Sequence, residues 1–248
     1  MTILSSLDLM PKPFAWINIP AGKVKIKAGG YLKDDTVFNV DTFQIAKYPT
    51  TNAQFDVFVS HPDGYKNPAW WDFSEDAKKW RADNQTPQNT CFAGDTMPRT
   101  NVCWYESVAF CRWLSAMTDE NIMLPTEQQW QRAALGNGRY NYPWGKTWDD
   151  GRCNLPREGI GKTTPVTQYE IKGDSPYKVV DMVGNVCEWC STAFNEGEDN
   201  LLGTDFRVIR GSSWFSSSSM YDFPAVYRDM YFPPVGSCFV GMRIACFF

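Results

Sequence analysis

From Phe14 to Gly30 apolar and polar residues alternate, with Trp16, Ile17 and Ile19 and then Val24 and Ile26 set around Ala21-Gly22. That period of two predicts a hairpin. Phe38 to Tyr48 continues in extended style, and the period then changes. Thr51 is placed to cap a helix, with Gln54 three residues on as the second half of a capping box and Phe55, Phe58 and Val59 as the apolar stripe, ending before Pro62. A second helix is predicted over about Trp104 to Ala116, where Trp104, Val108, Cys111 and Leu114 recur on one face. A third opens at Thr126, which repeats the box with Gln129 and places Glu127 in the first turn, where the helix dipole favours a carboxylate.

Beyond Gly136 turn residues punctuate short apolar pieces up to the carboxyl end. Residues 60–100, rich in Trp, Asp, Asn and Pro, read as an insertion packed over the core between the first two helices. No internal repeat, low-complexity linker or domain boundary interrupts residues 1–248, so a single loop-rich α+β domain is expected. A chain of 248 residues with 43% hydrophobic and 15% aromatic positions has enough apolar material for a core, which excludes disorder.

Charge narrows the function classes. Charged residues make up 21% of the chain, the net charge is -4 and no block of like charge occurs, so neither nucleic acid nor an anionic membrane is an expected partner. No run approaches the ~20 apolar residues of a membrane span. Met1 to Trp16 lacks the pattern of a leader, and the expectation is a cytoplasmic protein. The eight cysteines are scattered, which makes reduced thiols the default, and the single histidine, His61, removes most schemes of metal catalysis.

Seven segments then fall in an order that resembles the formylglycine-generating enzyme (sulfatase-modifying factor) domain family. They are Tyr48-Pro49-Thr50-Thr51-Asn52-Ala53-Gln54-Phe55, the helix from Asn101 to Cys111, Leu124-Pro125-Thr126-Glu127-Gln128-Gln129-Trp130, Tyr142-Pro143-Trp144-Gly145, Asp181-Met182-Val183-Gly184-Asn185-Val186-Cys187-Glu188-Trp189, Arg207-Val208-Ile209-Arg210-Gly211-Ser212-Ser213-Trp214, and Val240-Gly241-Met242-Arg243. The resemblance spans residues 14–246 and implies a C-type lectin-like fold. On physical grounds Trp130, Trp144, Trp189 and Trp214 read as core or corner anchors, and Gly184 and Gly211 as turns with positive φ.

The same resemblance argues against catalysis. In catalytic members two cysteines just beyond the Arg-Gly-Gly-Ser element bind copper; here those positions hold Ser216 and Tyr221, so the soft ligands of a Cu(I) site are missing and no redox metal is expected. Related sulfoxide synthases hold iron with three histidines, which His61 alone does not supply. Cys187 and Cys190 have redox or metal spacing, yet lie inside a turn motif and read as buried inert thiols. The metal the resemblance does imply is structural calcium, at the Asp181 side chain, the Gly184 and Val186 carbonyls and the Glu188 side chain, with a second position near Asn154 and Leu155. The other reading of Asp181 and Glu188 is that they cap backbone amides.

The tract 215–239 carries seven aromatics and five serines in 25 positions, 28% aromatic against 15% for the chain, with neither a helical nor a strand period. It reads as surface loop, and rings among small polar residues are the composition of antibody-like paratopes. Residues 207–246 resemble the variable region of proteins diversified by diversity-generating retroelements, which end in this lectin-like fold. The expected binding residues are Phe215, Ser217, Tyr221, Phe223, Tyr227, Asp229, Tyr231, Phe232, Ser237 and Phe239, facing an unknown ligand, in all expectation a protein. Arg210, Trp214, Arg228 and Arg243 are assigned to the scaffold. Three alternatives stand beside this: rings that complete an ordinary core, a formylglycine-generating-type oxidoreductase or degenerate relative of it, and a structural or signalling module on the same fold.

Overall fold

The computed structural model describes residues 4–138, 140–202, 204–216 and 227–248; Ser217, Tyr221 and Phe223 lie outside them. In chain order the elements are α1 (Ser6–Leu9), β1 (Trp16–Ile19), β2 (Gly22–Ile26), β3 (Thr36–Val40), β4 (Phe43–Ala46), α2 (Asn52–Ser60), α3 (Glu75–Asp83), α4 (Trp104–Thr118), β5 (Asn121–Met123), α5 (Glu127–Leu135), β6 (Cys187–Ala193), β7 (Arg207–Arg210), β8 (Arg228–Tyr231), β9 (Val240–Met242) and β10 (Ala245–Phe247). One sheet runs β1-β4-β10-β5, a second β8-β7-β6-β9, and β2 pairs with β3 alone. The chain is the mixed, loop-rich α+β fold expected.

The three helices foreseen from the sequence form where their caps place them. Thr51 and Gln54 close a reciprocal box on α2, and Thr126 and Gln129 do the same on α5. On α4 the cap is Cys103, whose amide donates to Glu106 Oε2 at 2.9 Å. Phe55, Phe58, Phe110 and Trp113 from α2 and α4 meet with centroids 5.3–5.9 Å apart, Phe55 and Phe110 stacked and the other pairs edge-on or tilted, all fully buried. This is the arrangement aromatic quadrupoles favour. A second core gathers Ile19, Val24, Ile26, Phe43 and Ile45 under Trp130 of α5.

The expected hairpin between residues 14 and 30 is corrected. β1 pairs antiparallel with β4, Ile19 opposite Phe43, and β2 with β3, Gly22 opposite Val40. The period of two identified both strands, but their partners come from residues 36–46, and the ribbon bends where Ala21 N donates to Thr42 Oγ1. The insertion also has more regular structure than its composition suggested: a 3-10 turn (Pro68–Trp71) and α3, capped by Ser74 Oγ. In the C-terminal tract, Arg228–Tyr231 is strand rather than loop, because it pairs with β7 in the register Arg207↔Tyr231 to Arg210↔Arg228.

Reduced thiols do not hold throughout. Cys91 and Cys238 form a disulfide that ties the insertion to the C-terminal tract. Such bonds persist in oxidising surroundings, which sits against the cytoplasmic expectation. Cys103, Cys111, Cys153, Cys187, Cys190 and Cys246 are free and buried. No helix among the described residues is long and apolar enough to cross a membrane.

Candidate functional site: the C-terminal aromatic face

Strand alternation divides the β7–β8 hairpin into two faces. Arg210 and Arg228, directly opposite each other, point to the same buried carboxylate: Glu127 Oε1 accepts from Arg210 Nη1 at 3.0 Å and from Arg228 Nε, while Oε2 accepts from the Tyr31 hydroxyl at 3.0 Å. Glu127 is fully buried at the start of α5, and its amide donates to Thr192 Oγ1. Arg228 reaches further, to the carbonyls of Lys27 and Gly29. Burial, reinforced by the charge on Glu127, pushes the Tyr31 phenol above its ordinary range, and burial pulls Arg210 down. One carboxylate therefore fastens the hairpin stem to α5.

The opposite face carries the rings. Ile209, Ser213, Phe215, Tyr227, Asp229 and Phe239 line a cavity of about 170 Å³ together with Cys187 and Ser216. Phe215 is 64% exposed and stacks on Phe239 at 6.0 Å; Trp214 lies 5.3 Å from Phe215, and Phe92 meets Trp214 edge-on at 5.3 Å. The Tyr227 hydroxyl donates to Asp229 Oδ2 at 2.7 Å, and Met230 N to Asp229 Oδ1 at 2.8 Å. Burial raises the Tyr227 phenol and pushes the Cys187 thiol up to about 12. Cys190 is raised further by the same cause, so neither thiol is poised as a nucleophile.

Of the expected binding residues, Phe215, Tyr227, Asp229 and Phe239 are brought together. Tyr231 adjoins them through Phe239 but is half-buried against Trp189, and so belongs partly to the core. Phe232 is exposed but pairs with Phe206 away from this cavity. Ser237 contributes its carbonyl to Asn101 N at 2.8 Å, a stitch between segments rather than a displayed group. Phe92 carried no signal in the sequence, because it arrives with the Cys91–Cys238 bond.

The scaffold arginines behave as expected. Arg243 donates to both oxygens of Glu188, at 2.8 and 2.9 Å, and to the carbonyls of Ala46 and Val180; Trp130 Nε1 adds a bond to Glu188 Oε2 at 2.7 Å. Trp130 and Trp189 are fully buried, while Trp144 and Trp214 are half-exposed. Gly184 has φ +82°, and a Cβ there would lie 2.6 Å from the Asn154 carbonyl oxygen.

These contacts test the expected calcium site. Glu188 does not fit it, since both oxygens already face a guanidinium and an indole N–H. Asp181 fits better: it is buried, Oδ2 accepts from Asn185 Nδ2 at 2.8 Å, and Oδ1 has no hydrogen-bond partner. Asn185 Oδ1 accepts from Asn154 Nδ2, and the Asn154 side-chain oxygen also lacks a partner. Burial pushes the Asp181 carboxyl up to about 7, with the Asn185 bond acting against that rise.

A family model described as the sulfatase-modifying factor enzyme 1-like domain matches residues 10–246. The chain belongs to this family. Among sulfatase-modifying factor relatives, the hercynine oxygenase of Mycolicibacterium smegmatis is 28% identical over 244 residues, covering 84% of this chain and 54% of that protein. The inactive C-alpha-formylglycine-generating enzyme 2 of Bos taurus is 30% identical over 132 residues, covering 49% of this chain and 40% of that protein. The chain thus spans about half the length of these relatives or less. Treponema denticola variable protein 1 shares the fold with a TM-score of 0.66 at 19% identity, over 94% of this chain and 95% of that one. PvdO from Pseudomonas aeruginosa does so with 0.69 at 16% identity, over 94% of each. The fold is accordingly C-type lectin-like, of the type the family motifs imply.

Proposed function

We propose that this chain is a non-catalytic ligand-binding protein, in which a rigid lectin-like scaffold presents an aromatic-rich C-terminal surface to another macromolecule, a protein. The observation that carries the reading is the division of the β7–β8 hairpin, with its arginine face clamped to Glu127 and its other face carrying Phe215, Tyr227, Asp229 and Phe239 around an open cavity. Rigid rings give contact area at low entropic cost, and an exposed apolar patch of this kind marks an interaction site. The likeness of fold to a variable protein supports diversification of residues 207–246 by a retroelement, and the relative named as inactive supports a family member without chemistry.

The competing reading, an oxidoreductase, draws on the relatives named hercynine oxygenase and formylglycine-generating enzyme. Against it stand Ser216 and Tyr221 at the two copper-cysteine positions, and the raised thiols of Cys187 and Cys190. Purified protein is to be analysed for copper and iron and assayed for oxidation of a thiol peptide. Stoichiometric redox metal with turnover overturns the binding reading, and metal-free, inactive protein is the expected result. A reverse transcriptase beside the gene, with a near-copy of its 3′ end differing only at adenines, is the outcome expected of diversification. Calcium belongs to the proposal as structural ions, one at Asp181 with the Gly184 and Val186 carbonyls and a second near Asn154, with no part in ligand capture.

A further inference from the structure

The insertion carries a second cavity, on a part of the molecule the aromatic face does not use. Lys78, Arg81, Ala82 and Gln85 follow one another at the i, i+3, i+4, i+7 spacing that puts them on one side of α3 and just past its end, and Lys66, Pro68 and Trp71 form the facing wall. The space between them is about 340 Å³, within the range of small-ligand pockets. Ala82 leaves room where a longer side chain would close it.

Three of the seven lining residues are cations and none is an acid, although residues 60–100 contain six acids against five bases. Lys78 is already answered, by Asp72 at 2.5 Å and Glu75 at 2.9 Å. Arg81 is not. It is 9% exposed, with its guanidinium 4.8 Å from the Tyr65 ring centroid and 5.2 Å from that of Trp71. Its hydrogen bonds go to neutral oxygens of Asn84, Gln85 and Tyr65, Nε has no partner, and no carboxylate among the described residues pairs with it. Lys66 is exposed at the rim without an ion pair among the described residues. A buried guanidinium lacking a counter-charge favours an anion.

We infer that this cavity binds a small organic carboxylate whose apolar ring rests between the exposed Pro68 and Ala82 while Arg81 and Lys66 hold the carboxylate. The test is calorimetric titration of the full chain at low salt with benzoate, and with benzamide as the uncharged isostere, in wild type, Lys66→Glu and Arg81→Gln. Expected are millimolar binding of benzoate, at least about tenfold weaker binding of benzamide, and a loss of about threefold or more in Lys66→Glu, whose exposed position leaves the melting temperature unchanged. Arg81→Gln abolishes binding if its melting curve remains cooperative; if it does not fold, Lys66→Glu decides alone. Absence of benzoate binding, equal binding of benzamide, or an unaltered Lys66→Glu overturns the assignment.

Discussion

Replacing Glu127 by glutamine tests the scaffold half of the reading. The carboxylate is fully buried and accepts from Arg210, Arg228 and Tyr31 together, and the salt-bridge partners themselves are 2% and 8% exposed. Glutamine keeps the shape but removes the charge, and turns one acceptor into an N–H₂ that faces donors. Two buried guanidiniums then lose the carboxylate they share, which costs about 3–5 kcal/mol. For a chain of this size, at about 2–4 °C per kcal/mol, that corresponds to a fall in melting temperature on the order of 10 °C. Scanning calorimetry measures it. Hydrogen exchange locates it, since the amides of β8 should open before those of β4 in the neighbouring sheet. A melting temperature within about 2 °C of wild type, or exchange that rises uniformly, would show that the hairpin is held by something other than this carboxylate.

Further outcomes follow from the same contacts. Asp181 has a folded pKa raised from 3.8 to about 7, so the folded chain binds the proton more tightly: its contribution is full below about pH 4 and is lost as pH rises through 7, up to about 4 kcal/mol in all. Urea unfolding between pH 5 and 8 should show wild type losing stability relative to Asp181→Asn, and millimolar calcium should flatten that slope; parallel profiles would contradict the placement of the carboxyl. Reducing the Cys91–Cys238 bond, which closes a loop with a sequence separation of 147, should lower stability by up to about 5 kcal/mol, seen as a drop in melting temperature with dithiothreitol that Cys91→Ser abolishes. Phe215→Ala, at a 64% exposed ring, should shift stability by no more than about 0.5 kcal/mol in denaturant titration. A loss of about 3 kcal/mol or more, as for a core ring, would place Phe215 in the interior.

Much of the scaffold was legible because its signals are local. The capping boxes at Thr51 and Thr126 fix two helix starts within four residues each, and positive φ at Gly184 and Gly211 follows from the turns their motifs require. Pairing across the chain was less legible. The partner of Trp16–Ile19 lies at residues 43–46, and nothing in either segment names the other. Short β8 escaped notice because four residues give too little alternation to count. Glu127 was read for its place on a helix dipole, whereas its neighbours in space are arginines 83 and 101 residues away. Similarly Glu188 carries a motif suited to an ion, but Arg243, contributed by the closing segment, takes its oxygens.

The clasp beneath the β7–β8 hairpin has a consequence for how this protein can change over generations. Among the described residues joining those strands, Gly211, Ser212 and Ser213 are buried and belong to the fold, whereas Phe215 stands 64% exposed, so heritable change at that ring is uncoupled from the ability to reach the native state. On the proposed binding function, a lineage can exchange that one ring for other side chains while its yield of folded molecules stays constant.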